Sequence, residues 1–334
     1  MPAVEFTFRD GERVIRFAPG ALAEAPGLID AQGLGGYALL TTERALAGAP
    51  AALREGAAAV LAVPSGSVPE AAAAVRGDVG ARPLVALGGG RVVDAAKAIA
   101  AAEGLRCAAI PTTLAGSSFT PFHRMPAGIE RYRFLRPALA VCDPALMSSA
   151  PMPGLAATAM NAFAHAVESL YGPGANPVSE GAALRAAALI SEALRAEPPQ
   201  AEGLALGAVL GGWAIGSAGL AVHHGLCQAI VRTVGTPHAE TNAVVLPHSV
   251  AFMATRAPAV IGRLARALSA TGDDGAAAVA QLAALAGPRT LSELGVAGRD
   301  ADRIAAAALD HPAVANTPGG VPEADLRDLL GAAL

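Results

Sequence analysis

Apolar residues follow two rhythms along the 334-residue chain. Up to about residue 150, apolar runs of strand length alternate with alanine-rich segments of helical period. YALLTT (37–42), AAVLAVP (58–64), PLVALGG (83–89), CAAIPTT (107–113) and PALAVCDP (137–144) each read as a buried strand ending in a turn. ERALAGAPAALREG, VPEAAAAVRG and RVVDAAKAIAAAEG read as the helices between them. Such alternation predicts a parallel sheet with helices on its faces. The opening EFTFRDGERVIRF alternates around Asp10-Gly11 and predicts a hairpin.

Beyond residue 150 the strand signals almost vanish. GLAATAMNAFAHAVESLYG, SEGAALRAAALISEALRAE, AEGLALGAVLGGWAIGSAGLAVHHGLCQAIV and AVVLPHSVAFMATRAP are helix-length segments bounded by Pro or Gly. PMPG at 151–154 marks the boundary. The expectation is an α/β nucleotide-type domain over 1–150, an all-helical domain over 151–334, and ligands bound between them.

Composition narrows the function classes. Residues are 53% hydrophobic and 16% charged, the net charge is −4, and no Lys/Arg run exists, which argues against a nucleic-acid partner. Cys107, Cys142 and Cys227 match no zinc spacing and fit a reducing compartment. The start, MPAVEFTFRDGERVIRFAPG, carries charges and reads as neither leader nor span, and apolar stretches elsewhere are interrupted before membrane length. A soluble, cytoplasmic protein is expected.

Candidate chemistry lies in both halves. LVALGGGRVVDAAKAIA sets Gly88, Gly89 and Gly90 between a strand and a helix, where backbone N–H groups and the helix N-terminus favour an anion. Asp94 and Lys97 follow on the first turns of that helix. PTTLAGSS brings Thr112, Thr113, Ser117 and Ser118 to the carboxyl edge of the next strand. After the strand at 37–42, Glu43 offers a carboxylate to an adenosine ribose, which favours NAD over NADP. In MNAFAHAVESLY, Asn161 and His165 share one helical face with Glu168 a turn further on. By itself this is a metal site, a former metal site or a polar stripe on a buried helix. Five of the seven histidines lie between 165 and 248, which suggests a cleft lined with imidazoles.

The motifs together resemble the iron-containing alcohol dehydrogenase superfamily and, within it, the maleylacetate reductases. GGGRVVDAAKAIA resembles GGGS-x-x-D-x-A-K, PTTLAGSSFTPF resembles PTT-x-AGSE-x-TP, and HHGLC…PHAETNAVVLPH resembles HHKLCH…PHAETHAVVLPH. CDPALMSSAPMPGLAATAMNAFAHAVESLY and the closing ANTPGGVPEADLRDLLGAAL also have counterparts there. The resemblance implies a Rossmann-like domain binding NADH or NADPH, followed by a helical domain, in the dehydroquinate synthase-like/iron-containing alcohol dehydrogenase fold. Metal-dependent members hold iron or zinc with one Asp and three His, at positions that match Asn161, His165, His224 and His238 here. Asn161 stands in the Asp position, as is typical of the metal-free maleylacetate reductases, so no metal is expected.

The implied reaction is reduction of maleylacetate, or a related unsaturated or keto acid, in aromatic-ring catabolism. In it, Asn161, His165, His224 and His238 form the catalytic group, with proton delivery from His224 or His238. Substrate-side positions depart from the pattern: Ser118 for Glu, Gln228 and Asn242 for His, and a divergent loop at 123–137 carrying His123 and four arginines. The competing readings are a metal-dependent alcohol dehydrogenase, a non-redox enzyme on the same fold and a nucleotide-binding protein without catalysis. A small carboxylate substrate, no membrane or nucleic-acid partner, and a homodimer are the expected partnerships.

Overall fold

A computed structural model describes residues 6–268 and 275–334. Residues 1–5, which include Glu5 of the predicted hairpin and the start read as lacking a leader, lie outside them. The chain divides into two compact units, Met1–Ser149 and Ala150–Leu334.

The first unit is α/β. Its strands are β1 (Phe6–Asp10), β2 (Arg13–Phe17), β3 (Ala38–Thr41), β4 (Ala59–Ala62), β5 (Leu84–Gly88), β6 (Cys107–Pro111) and β7 (Leu139–Cys142). They form one sheet in the order β1-β2-β7-β6-β5-β3-β4. The predicted hairpin forms, with β1 antiparallel to β2, but it is not a separate ornament. Through β2 it joins β7 in parallel and extends the sheet. The remaining pairings are parallel. β3, β5, β6 and β7 are buried along their whole length, as their uninterrupted apolar runs require.

The helices of this unit are α1 (Ala21–Ala31), α2 (Glu43–Ala47), α3 (Ala51–Glu55), α4 (Val68–Val79), α5 (Gly90–Glu103) and α6 (Pro144–Met147). The segment ERALAGAPAALREG, read as one helix, is two short ones. Pro50 cannot donate to a continuing ladder, and Gly48 ends α2. Thr42, Ser67 and Asp143 cap α2, α4 and α6 through their side chains.

The second unit is helical among its described residues: α7 (Gly154–Ser169), α8 (Pro177–Arg195), α9 (Ala201–Ala218), α10 (Val222–Val234), α11 (His238–Arg256), α12 (Pro258–Ala267), α13 (Gly275–Ala283), α14 (Ala301–Leu309), α15 (Pro312–Ala315) and α16 (Glu323–Ala333). The long segment from 201 to 231 is two helices, parted where Gly219 adopts φ +83. α7 lies at the centre of this unit, packed on α8, α9 and α11. It is buried on every side from Leu155 to Ser169 save at Thr158, which is why its polar residues are buried too.

Contrary to the expectation that no apolar stretch reaches membrane length, α9 is long and apolar enough by length and composition to cross a membrane; 56% of it is buried inside the unit. Its glycines repeat at four-residue spacing for packing reasons. A Cβ on Gly203 would meet Ala193 Cβ at 2.8 Å, one on Gly207 would meet Ile190 Cγ1 at 2.5 Å, and one on Gly211 would meet the Ala162 carbonyl at 2.9 Å.

Candidate active site

In the first unit the Gly88–Gly90 turn joins β5 to the fourteen-residue α5. Its glycines are demanded first by their own surroundings. A Cβ at Gly88 would lie 2.7 Å from Val92 Cγ2, and one at Gly90 would lie 3.2 Å from Ala115 Cβ. The first-turn N–H groups of α5 have no intrahelical carbonyl and carry the positive end of the helix dipole. They open on a pocket of about 380 Å³ lined by Thr42, Arg44, Gly89, Gly90, Arg91, Val92 and Thr112. Side-chain-free backbone, a helix N-terminus, hydroxyls and two guanidiniums suit a dinucleotide pyrophosphate.

Several residues expected at the cofactor do other work. Lys97 is fully buried, and its ammonium donates to Asp94 Oδ1 (3.0 Å), to the Ser117 carbonyl (2.9 Å) and to the Phe122 carbonyl (2.5 Å). Burial lowers its pKa, opposed by Asp94. Ser117 Oγ donates to Asp94 Oδ2 at 3.0 Å. Asp94, Lys97 and Ser117 therefore lock the 116–122 loop to α5. With every hydrogen satisfied within the protein, the lysine has no proton left for a phosphate. Arg13 braces the same loop from β2, donating to the carbonyls of Ser118 (2.8 Å) and Phe119 (3.2 Å). Thr113 Oγ1 accepts from the Ala115 N–H, a local turn bond. Glu43, expected at the ribose, is exposed in the first turn of α2 and does not line the pocket, whereas Arg44 does.

In the second unit α7 presents Asn161, His165 and Glu168, α10 presents His223 and His224, and α11 begins at His238. The His165 and His224 rings stack with centroids 4.8 Å apart and planes 8° from parallel. Glu168 is fully buried. Its Oε1 accepts the backbone N–H of His224 at 3.2 Å, and its Oε2 lies 2.6 Å from His224 Nδ1. Burial pushes the carboxyl up to about 7, opposed by His223 and by backbone N–H groups. Burial likewise pushes His223 and His224 down to about 3, and it holds His165 well below its ordinary value.

A second chain of contacts holds the outer members. His223 Nδ1 meets Ser249 Oγ at 3.1 Å and Nε2 meets Asn242 Oδ1 at 3.0 Å. Asn242 Nδ2 donates to the His238 carbonyl at 2.7 Å and faces His238 Nε2 at 3.3 Å. Asn242 thus bridges two imidazoles. Gln228, expected in the altered cleft, instead accepts from Arg232 and contacts His311 Nε2 at 3.1 Å. His123 stacks on Tyr132 in the first unit.

Three buried polar atoms of this cluster lack partners: Asn161 Oδ1, His165 Nδ1 and His224 Nε2. All three are neutral, Asn161 replaces the anionic ligand, and the buried carboxylate at Glu168 is engaged by His224 Nδ1. Among the described residues no three His, Cys, Asp or Glu side chains are grouped to hold a metal ion.

The Glu168–His224 pair has a definite chemical meaning. A 2.6 Å contact between a carboxyl oxygen and an imidazole nitrogen requires one proton between them. A second proton appears as N–H at Nε2 whether the pair is written glutamate–imidazolium or glutamic acid–imidazole. Nε2 is therefore the atom at which the pair gives up or takes a proton. In sequence, Glu168 leaves only one signal for this role, a charge one turn beyond His165 on an alanine-rich helix.

The model of the iron-containing alcohol dehydrogenase family matches residues 13–144, and that of the Fe-containing alcohol dehydrogenase family, C-terminal, matches 155–334. Maleylacetate reductase 1 of Rhodococcus opacus is 38% identical over 263 residues, 75% of this chain and 72% of that protein. The maleylacetate reductase of Pseudomonas aeruginosa is 34% identical over 318 residues, 89% of each. The crystal structure of maleylacetate reductase from Agrobacterium tumefaciens is similar with a TM-score of 0.83 and 30% identity, covering 99% of this chain and 98% of that one. An iron-containing alcohol dehydrogenase from Corynebacterium glutamicum gives a TM-score of 0.84 at 27% identity, with the same coverage.

Proposed function

The chain belongs to the iron-containing alcohol dehydrogenase family of oxidoreductases, and on that premise we propose that it is a metal-independent, nicotinamide-dependent reductase of a maleylacetate-type unsaturated keto acid. The observation that carries this reading is the buried Glu168–His224 pair whose Nε2 is unpartnered, in a donor set that has lost its anionic metal ligand. The likeness to maleylacetate reductases supports the substrate class.

The first-turn N–H groups of α5, with Gly89, Gly90, Arg91 and Thr112, hold NADH or NADPH. When bound, the dihydronicotinamide supplies a hydride to the carbon–carbon double bond conjugated to the substrate ketone. His224 Nε2–H donates to the oxygen on which enolate charge develops and returns a proton to the adjacent carbon. Glu168 holds the ring in place and stabilises its protonated form. His165, stacked on that ring, and Asn161 offer imidazole and amide N–H groups that donate to substrate carboxylate oxygens and fix its orientation.

The test is oxidation of NADPH and of NADH by the purified protein with maleylacetate, with and without a chelator. Turnover unaffected by chelation is expected. Stoichiometric metal whose removal abolishes turnover would overturn the metal-independent reading. Dinucleotide binding without maleylacetate turnover would overturn the substrate. The variant Asn161→Asp restores an anionic ligand beside two imidazoles and should raise zinc affinity over the parent, measured by metal content after dialysis.

A further inference from the structure

β3 and β5 are parallel neighbours with Thr41 opposite Leu87, so their carboxyl ends open side by side. The glycine turn follows β5, and the Thr42–Arg44 turn follows β3. Two guanidiniums, Arg44 and Arg91, line the pocket at these ends, and no Asp or Glu does. Both arginines are exposed, and neither guanidinium has an ion-pair or hydrogen-bond partner among the described residues. Lys97, the cation within the glycine motif itself, is fully engaged by Asp94 and two carbonyls. The positive charge facing a ligand here therefore comes from the two arginines. Arg91 lies in the first turn of α5 beside Gly89 and Gly90, where the dinucleotide reading puts the pyrophosphate. Arg44 lies one strand away, beyond Thr42.

Dinucleotide folds hold an unmodified adenosine ribose through a carboxylate that accepts from its hydroxyls, and a 2′-phosphorylated ribose through an arginine. A planar guanidinium donates two parallel hydrogen bonds to phosphate oxygens, and it offers a ribose hydroxyl no comparable advantage. With Glu43 outside the pocket and Arg44 on its wall, we infer that this protein selects the 2′-phosphorylated dinucleotide, NADPH, over NADH. Arg44 engages the 2′-phosphate and Arg91 the pyrophosphate. The inference rests on the dinucleotide reading above.

Fluorescence titration of the purified full chain with NADPH and NADH tests it, with 2′,5′-ADP and 5′-AMP as competitors. NADPH should bind about tenfold more tightly than NADH, and 2′,5′-ADP should compete better than 5′-AMP. Arg44→Ala should cut the NADPH-to-NADH affinity ratio about tenfold, and Arg44→Lys should retain part of it. Arg91→Ala should weaken both dinucleotides by a similar factor. NADH binding as tightly as NADPH, or an unchanged ratio in Arg44→Ala, overturns the inference and leaves the dinucleotide reading standing. Binding of neither dinucleotide overturns both.

Discussion

In the α/β unit, the groups around the glycine turn come from segments next to one another in the sheet, and much of the pocket wall is backbone. In the helical unit, the polar cluster is side chain throughout, buried, and assembled from α7, α10 and α11. His224 and Glu168, in contact at 2.6 Å, are 56 residues apart in sequence. The first arrangement presents fixed dipoles to an anion and needs no proton chemistry. The second keeps titratable groups away from water, which moves their pKa values and ties function to protonation. The proposed reduction uses both: one surface that holds charge still, and one that passes a proton.

The sharpest break of that contrast is His224→Ala. Turnover should fall about a thousandfold, while NADPH affinity, read by titration, stays within about twofold. Glu168→Gln should lower turnover by about ten- to a hundredfold with KM little changed, and should flatten the dependence of kcat on pH. Equal losses in dinucleotide binding would mean that the two regions are not chemically separate.

Next in size is Lys97→Met, which leaves Asp94 and two carbonyls without their cation. Urea denaturation should show a loss of about 3 kcal/mol in the first unit, with the second unit's transition unchanged.

The pH dependence of stability should also divide the units. His165, His223 and His224 have folded pKa values below the unfolded value of 6.5, His223 and His224 at about 3. Their contribution is full above pH 6.5 and is lost as pH falls through that window toward 3. For His223 alone the loss at pH 5 is about 2 kcal/mol. Glu168, raised to about 7, acts in the opposite sense: its contribution is full below pH 4.5 and is lost as pH rises through 7. Urea midpoints of the helical unit at pH 7.5 and pH 5 should fall with acid, because three imidazoles outweigh one carboxyl. A midpoint that rises on acidification would contradict the buried neutral cluster.

The smallest effect is steric. Gly88→Ala drives a Cβ into Val92 and should cost about 1.5 kcal/mol, most of it recovered in the Gly88→Ala/Val92→Ala double variant.

The apolar runs of β3, β5, β6 and β7, the Gly88–Gly90 turn and the long helical segments were legible directly, because a buried parallel strand and an amphipathic or buried helix each impose a local pattern. The breaks at Pro50 and Gly219 were local too, yet the alanine content on either side masked them. The role of Lys97 was not legible: position in a motif says that a cation is near a turn, not whether loop carbonyls will take its protons first. Nor was the choice between Glu43 and Arg44, since adjacent residues at the start of a helix point about 100° apart and only the placement of α2 selects which one faces the pocket.

By itself, then, the sequence determined the α/β-then-helical order, the glycine turn and the residue types at the positions that match the family's metal ligands, all consequences of local period and composition. Only the tertiary structure decided that Glu168 stands behind His224, that Asn242 bridges His223 and His238, and that Lys97 is spent on its own loop. Each of those depends on which distant groups share a buried space, where hydrogen-bond satisfaction and desolvation are settled by neighbours that no window along the chain contains.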